Sequence, residues 1–238
     1  MTAAGEKRDQ TDTSPYQFKA SAYGSHIRVL RSFPSDGRGR RLLDLGCGGG
    51  EISSMLAEAG YQVTAVDRNP PARADLESSV KFLAADLDDG LPQLPGRFDF
   101  VLCADILEHL REPARLLADV RAVLAPGGLL VASLPNSGHW YFRLNVAAGR
   151  FPADDHGLFD RTHLHFYTWD GWVRLFAGTG FRIDKVTPAA VPVGRVLPRW
   201  EHTPIVRGLE AGGYALARLW KKLFAYQFIV AARPKEEA

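Results

Sequence analysis

The sequence predicts an α/β fold: a mostly parallel sheet with helices packed on both faces. Three observations lead there. Short apolar runs alternate with amphipathic runs from residue 41 to residue 186, the order in which parallel strands and their crossover helices follow one another. The run Phe98–Cys103 is apolar almost throughout, as expected of a strand covered on both faces. A glycine cluster, Gly46–Gly50, lies between a strand-like and a helix-like stretch, where open α/β sheets place a ligand-binding turn.

The chain has 238 residues, enough for one large domain with a sizeable core. Residues 1–14 are polar and read as a disordered leader, leaving 15–238 as a single domain. A formal net charge of +2 makes no demand for a nucleic-acid partner. Cys47 and Cys103 lack zinc-ligand spacing and read as reduced thiols of a cytoplasmic protein. No apolar run approaches the roughly 18 to 20 residues that span a bilayer, so no integral membrane segment is expected.

The elements follow in order. Tyr16–Phe33 reads as a helix, with Phe18, Tyr23, Ile27 and Leu30 near one face. Pro34–Gly39 breaks it, and Arg41–Leu45 is the first strand. Glu51–Ala59 is a helix stopped by Gly60. Tyr61–Val66, Val80–Ala84 and Phe98–Cys103 are strands two to four. Glu112–Leu124 is an amphipathic helix carrying Leu116, Leu117, Val120 and Val123. Pro126-Gly127-Gly128 reads as a turn into a fifth strand, Leu129–Leu134. The stretch 137–168 reads as an irregular insertion rich in His, Asp and aromatic residues, and Thr168 as the cap of a helix running to Ala177. Phe181–Val186 is a sixth strand; Thr187–His202 is Pro-rich and irregular; a helix starts at Thr203-Pro204 and reaches Trp220; Ala225–Ala231 is the final strand.

The loop Asp44-Leu45-Gly46-Cys47-Gly48-Gly49-Gly50 follows a strand and opens a helix. Asp67 ends the next strand about 20 residues later, where a carboxylate accepts both hydroxyls of a ribose. Charge then selects the nucleotide. A dinucleotide lays its pyrophosphate on the helix N-terminus, yet Asp44 and Glu51 flank this turn, and the third glycine of a dinucleotide fingerprint falls on Glu51. Carboxylates repel a pyrophosphate and favour a cationic ligand without phosphate, such as S-adenosylmethionine. Glu51 alone is equally explained as a first-turn acid facing the helix dipole; that does not explain Asp44. An NAD-dependent oxidoreductase is disfavoured accordingly.

Leu42-Leu43-Asp44-Leu45-Gly46-Cys47-Gly48-Gly49-Gly50 resembles the first motif of class I S-adenosylmethionine-dependent methyltransferases. Asp67 matches their ribose-binding acid, and Ala85-Asp86-Leu87 the adenine-holding segment, with Asp86 facing the exocyclic amine. Phe98-Asp99-Phe100-Val101, Leu107-Glu108-His109-Leu110 and Leu124-Ala125-Pro126-Gly127-Gly128 match later motifs. The resemblance spans roughly residues 40–135. It continues more loosely through Asn136 and Asp160–Thr168 toward a subgroup of small-molecule methyltransferases and MetW-like proteins. It implies a Rossmann-like seven-stranded sheet with the last strand antiparallel. It also implies a cofactor site made of Asp44, Gly46, Cys47, Gly48, Asp67, Arg68, Asp86, Leu87 and Ala104. The function it implies is methyl transfer from S-adenosylmethionine to a small molecule, with oxygen the favoured acceptor; the alternative is a cofactor-binding partner without turnover.

Methyl transfer asks a protein mainly for alignment and exclusion of water. An oxygen acceptor also gains from a base, and histidine suits that. His163 is the first candidate and His109 the second; Asn136, His139, Arg161 and His165 are candidate acceptor-binding residues. Each has a plainer reading. Glu108 and His109 can cap and pack their short helix, and Asp160–His165 can be a hydrogen-bonded corner. Trp140, Tyr141, Phe142, Phe151 and Phe159 are either an acceptor lid or core. In some related quinone O-methyltransferases the acid and histidine after strand four are linked to a metal, but no metal is expected here. Arg218, Trp220, Lys221, Lys222 and Phe224 form either a packing helix with a basic edge or a surface for a membrane or a lipid-linked acceptor.

Overall fold

The computed structural model describes residues 21, 23–70, 79–196, 198–200 and 203–236. Seven strands form one sheet in the order β3-β2-β1-β4-β5-β7-β6. These are β1 Arg41–Leu45, β2 Gln62–Asp67, β3 Val80–Ala84, β4 Phe98–Ala104, β5 Leu124–Pro135, β6 Phe181–Ala189 and β7 Gln227–Pro234. The first five pair in parallel, while β7 runs antiparallel to both β5 and β6. This is the Rossmann-like arrangement expected, with the last strand inverted.

Alternation along the central strands sends neighbouring side chains to opposite faces. Leu43, Leu45, Val101 and Cys103 point to one face, where α3 (Pro113–Val123) and α5 (Trp169–Gly178) cover them. Leu42, Val63, Ala65 and Leu102 point to the other, where α1 (Ser25–Leu30) and α2 (Glu51–Glu58) pack. Both faces of the central strands are therefore covered, which is why Phe98–Cys103 carries one polar residue, Asp99 near its start, and is apolar from Phe100 on.

Five expectations about elements need correction. Within the helix expected over Tyr16–Phe33, the described residues form α1 from Ser25 to Leu30, and residues 16–20 and 22 lie outside the description. Pro126-Gly127-Gly128 is not a turn before a strand: it lies inside β5, with Gly127 at φ 75°, beside the register shift between Phe98 and Phe100. Glycine bends the strand there without ending it. The stretch 137–168 is not wholly irregular, since α4 spans Trp140–Ala147 with only Phe142 buried. The Pro-rich stretch after residue 187 holds the end of β6, through Pro188 to Ala189, and a single turn, α6 (Val193–Val196). The remaining helices are α7 (Pro204–Leu219), capped by the Thr203 hydroxyl accepting from the Val206 N–H at 3.4 Å, and α8 (Lys221–Phe224). The final strand starts two residues later than expected and runs on to Pro234. The leader expected at 1–14 lies outside the described residues.

Candidate functional site

Ligands of open α/β sheets bind at the carboxyl ends of the strands, and a cleft of about 220 Å³ opens there. The ends of β1, β2 and β4 form its floor. Gly46, Gly48 and Gly50 all have positive φ, a backbone path that side chains resist. A Cβ on Gly46 would also meet the Ile106 side chain at 2.9 Å. Asp67 is held in place by two amides: the Gly48 N–H donates to its Oδ2 at 2.9 Å and the Asn69 N–H to its Oδ1 at 3.0 Å.

Asp44 is buried below the turn and accepts the Ser53 hydroxyl at 2.6 Å. Burial pushes its carboxyl up to about 7, the Ser53 bond opposes that, and neighbouring Asp67 adds to it. The same burial, with Asp44 and Asp67 nearby, keeps Cys47 a thiol. Of the residues expected around the cofactor, Asp44, Gly46, Cys47, Gly48, Asp67 and Ala104 line this cleft. Arg68 and Asp86 pair beside it, Arg68 Nε to Asp86 Oδ2 at 3.2 Å. Leu87 departs from expectation: its side chain is buried in the α3 and α5 core, leaving only its backbone for a ligand.

The opposite wall is built by the segment after β4. His109 lines the cleft on the 3₁₀ turn Leu107–His109. Its Nδ1 lies 3.0 Å from the Thr162 hydroxyl and 3.2 Å from the Thr162 carbonyl oxygen. The Thr162 hydroxyl in turn donates to Asp160 at 2.6 Å. His163 stands behind, its ring edge-on to His109 with centroids 4.7 Å apart and its Nε2 3.9 Å from Glu108 Oε1. Burial, with His109 adding to it, pushes His163 down to about 4. His163 is thus a neutral ring that packs against His109, and of these two it is His109 that lines the cleft. Glu108, His109 and His163 offer one ligand atom each within 4.8 Å of one another. A carboxylate with two imidazoles suits a transition-metal dication in its donor chemistry.

The four acceptor-binding candidates do not gather at this cleft. Asn136 is fully buried; its amide donates to the Ala225 carbonyl at 2.7 Å and accepts the Gly138 N–H at 2.9 Å, so it fastens the end of β5 to the start of β7. His139 is buried at the N-terminus of α4, where its Nδ1 accepts the Tyr141 N–H at 3.3 Å, and burial pushes it down to about 4. Arg161 is exposed and pairs with Asp155 at 2.8 Å. His165 lies 3.3 Å from the Arg111 carbonyl and stacks on Tyr167. The Leu164 and His165 amides both donate to the Glu108 carbonyl, at 2.8 and 3.2 Å. Asp160–His165 is therefore the hydrogen-bonded corner, and its role is to brace the His109 wall. In the aromatic cluster, Phe142 and Phe159 are buried and stacked at 4.5 Å, while Trp140, Tyr141 and Phe151 are exposed.

Sequence reasoning missed His26, Ile52, Asp105 and Ile106, which also line the cleft. Asp105 is a non-glycine residue at φ 52°, a backbone state that functional sites hold against its cost. Its carboxylate accepts from the Ser133 hydroxyl and from Gln227 Nε2, the latter at 2.8 Å. An acid directly after a strand that is apolar from Phe100 to Ala104 was the available signal for it. His26 had none, because the facing of α1 is not written in its own residues.

Residues 23–186 match the model of a family described as a methyltransferase domain. A ubiquinone biosynthesis O-methyltransferase of Xanthomonas campestris pv. campestris is 38% identical over 122 residues, 48% of this chain and 51% of that protein. The chain thus spans about half the length of the curated relatives it matches. A SAM-dependent methyltransferase from Archaeoglobus fulgidus superposes with a TM-score of 0.58 at 22% identity, covering 87% of this chain and 91% of that one. Magnesium protoporphyrin IX methyltransferase from Synechocystis PCC 6803, with bound SAH, gives 0.56 at 17% identity over 89% and 80%. The [4+2]-cyclase SpnF gives 0.58 at 21% identity over 89% and 80%, so the fold by itself does not name a reaction. The glycine turn, Asp67 and the His109 wall all fall inside the matched stretch, and the chain belongs to the methyltransferase-domain family, with the fold of the S-adenosylmethionine-dependent methyltransferases.

Proposed function

We propose that this protein transfers a methyl group from S-adenosylmethionine to an oxygen of a small-molecule acceptor. One observation carries the reading: among the described residues the cleft is lined by acidic side chains, Asp44 and Asp67 with them, and by His109, and by no lysine or arginine. S-adenosylmethionine supplies an activated methyl on a sulfonium, so the protein's task is placement. Asp67, aimed by the Gly48 and Asn69 amides, accepts the ribose hydroxyls. Asp44, ionised against a bound ammonium, accepts from the amino-acid end. The Gly46–Gly50 turn lets main chain approach the ligand closely. His109 takes the proton of the acceptor hydroxyl as the oxygen attacks, its ring held by Thr162 and His163. In place of that base, a dication held by Glu108, His109 and His163 would occupy the His109 lone pair and itself polarise an acceptor oxygen at the same wall.

The O-methyltransferase names of the relatives support oxygen as the acceptor atom. The test is turnover. The protein is incubated with S-adenosylmethionine and a panel of phenols and catechols, and products are read by mass spectrometry for the gain of one methyl. Tight S-adenosylhomocysteine binding with no methylated product from any acceptor would leave a cofactor-binding partner instead.

A further inference from the structure

The outer flank of α7 is apolar, where a surface helix is ordinarily polar. Val206, Glu210 and Ala217 turn inward, Glu210 accepting from the Gly194 N–H at 3.3 Å and the Ser21 hydroxyl at 2.6 Å. Ile205, Leu209, Leu216 and Leu219 lie at helical spacing on another side and are 64, 54, 46 and 86% exposed. Trp220, at the end of the helix, is 58% exposed. The stripe opens into an apolar groove of about 320 Å³ whose far wall includes Trp140 of α4 and Phe224 of α8.

Charge says what covers this surface. From Pro204 to Phe224 the cations are Arg207, Arg218, Lys221 and Lys222, and the one acid is the inward Glu210, giving a net +3. Arg218 directly precedes the exposed end of the stripe at Leu219 and Trp220, and Lys221 and Lys222 directly follow it. Lys221 stands over the Trp169 ring at 4.3 Å, and Lys222 shares its ammonium with Asp170 at 2.8 Å. A second copy docking about a two-fold axis would set two such basic faces against each other. An anionic bilayer surface complements both parts, taking the apolar stripe and Trp220 at its interface and the cations at its headgroups. At 16 residues α7 lies along a surface, and no helix among the described residues is long and apolar enough to cross a membrane.

We propose that α7 and α8 form a docking surface for anionic phospholipid bilayers. The surface lies away from the cleft, and its test needs no turnover. The full chain is sedimented with vesicles of equal parts phosphatidylglycerol and phosphatidylcholine, and with phosphatidylcholine alone. Binding is expected to the mixed vesicles, weak to the neutral ones, and falling steeply with salt. Lys221→Glu with Lys222→Glu should lower the partition coefficient at least tenfold, and Leu219→Glu with Trp220→Glu likewise, with the melting shift from S-adenosylhomocysteine retained. Leu219→Ala with Trp220→Ala, a milder pair, serves if the acidic pair fails to fold. No binding to mixed vesicles, equal binding to neutral ones, or binding untouched by both pairs of substitutions overturns the proposal. A dimer in sedimentation equilibrium that Leu219→Glu dissociates, without vesicle binding, would also overturn it and make the face an interface between copies.

Discussion

Replacing Asp44 by Asn should stabilise the ligand-free protein while weakening its hold on cofactor. The Asp44 carboxyl is 2% exposed, and burial raises it from 3.8 to about 7. The folded protein therefore holds this proton more tightly than the unfolded chain does. Its stabilising share is fully present below about pH 4 and is lost as pH rises to about 7. Roughly three pH units at ~1.4 kcal/mol each set the loss at about 4 kcal/mol above pH 7. Asn carries no charge, and its carbonyl still accepts the Ser53 hydroxyl. At pH 8 Asp44→Asn should thus gain up to about 4 kcal/mol, on the order of 10 °C in melting temperature for a chain of this size; near pH 4 it should match the parent. Against a bound ammonium the sign inverts, because the ionised carboxylate is then the useful form. Losing a charge-assisted bond of ~1.5–3 kcal/mol should weaken S-adenosylhomocysteine roughly 10- to 100-fold. Thermal melts at pH 4.5 and 8, with and without S-adenosylhomocysteine, read both effects. A variant less stable than the parent at pH 8 without ligand, or one that binds S-adenosylhomocysteine as well as the parent, would refute this account of Asp44.

S-adenosylhomocysteine at about 100 times its dissociation constant should stabilise the protein by roughly 2.7 kcal/mol, and NAD should leave the melt unmoved; the reverse pattern removes the cofactor assignment. Asp67→Ala should reduce S-adenosylhomocysteine affinity by about 100-fold or more, two charge-assisted bonds being lost, while circular dichroism stays native. His109→Gln should cut turnover by about 100-fold or more with cofactor affinity intact. His163→Ala removes a ring whose side chain is 6% exposed and should lower the melting temperature as well as the rate; a rate loss confined to His163→Ala would return the base to His163. Dialysis against EDTA should leave S-adenosylhomocysteine affinity within twofold, because Glu108, His109 and His163 stand on the acceptor side; a larger loss, measured by calorimetry, would put a metal under the cofactor site.

The cofactor half was legible because each of its features is local. A strand, a positive-φ glycine turn and an acid at the next strand end are adjacent in sequence, and the cleft assembles Asp44, Gly46, Gly48 and Asp67 as that order implies. The acceptor half was less legible because its histidines are sorted by burial. His139 and His163 are both neutral and enclosed, His109 lines the cleft, and His165 is tied to the Arg111 carbonyl. Nothing in residue type separates these four. Pattern failed at α4 for a related reason: a helix that buries one residue, Phe142, leaves no periodic apolar face to detect. At β5, Pro126-Gly127-Gly128 has the composition of a turn, and only pairing with β4 keeps it in the strand.

The position of β7 has a consequence for how the protein is made. β6 pairs only with β7 within the sheet, and β7 enters between it and β5. Gln227 on β7 grips Asp105, and the Ala225 carbonyl just before it anchors Asn136. A nascent chain released as far as β6 therefore has an open edge at β5 and lacks the β7 contacts to Asp105 and Asn136. It can fold the five parallel strands as they emerge, but the cleft takes its final form only once residues 227–234 have left the ribosome. Until then Asp105 keeps the Ser133 hydroxyl of β5 but lacks the Gln227 amide.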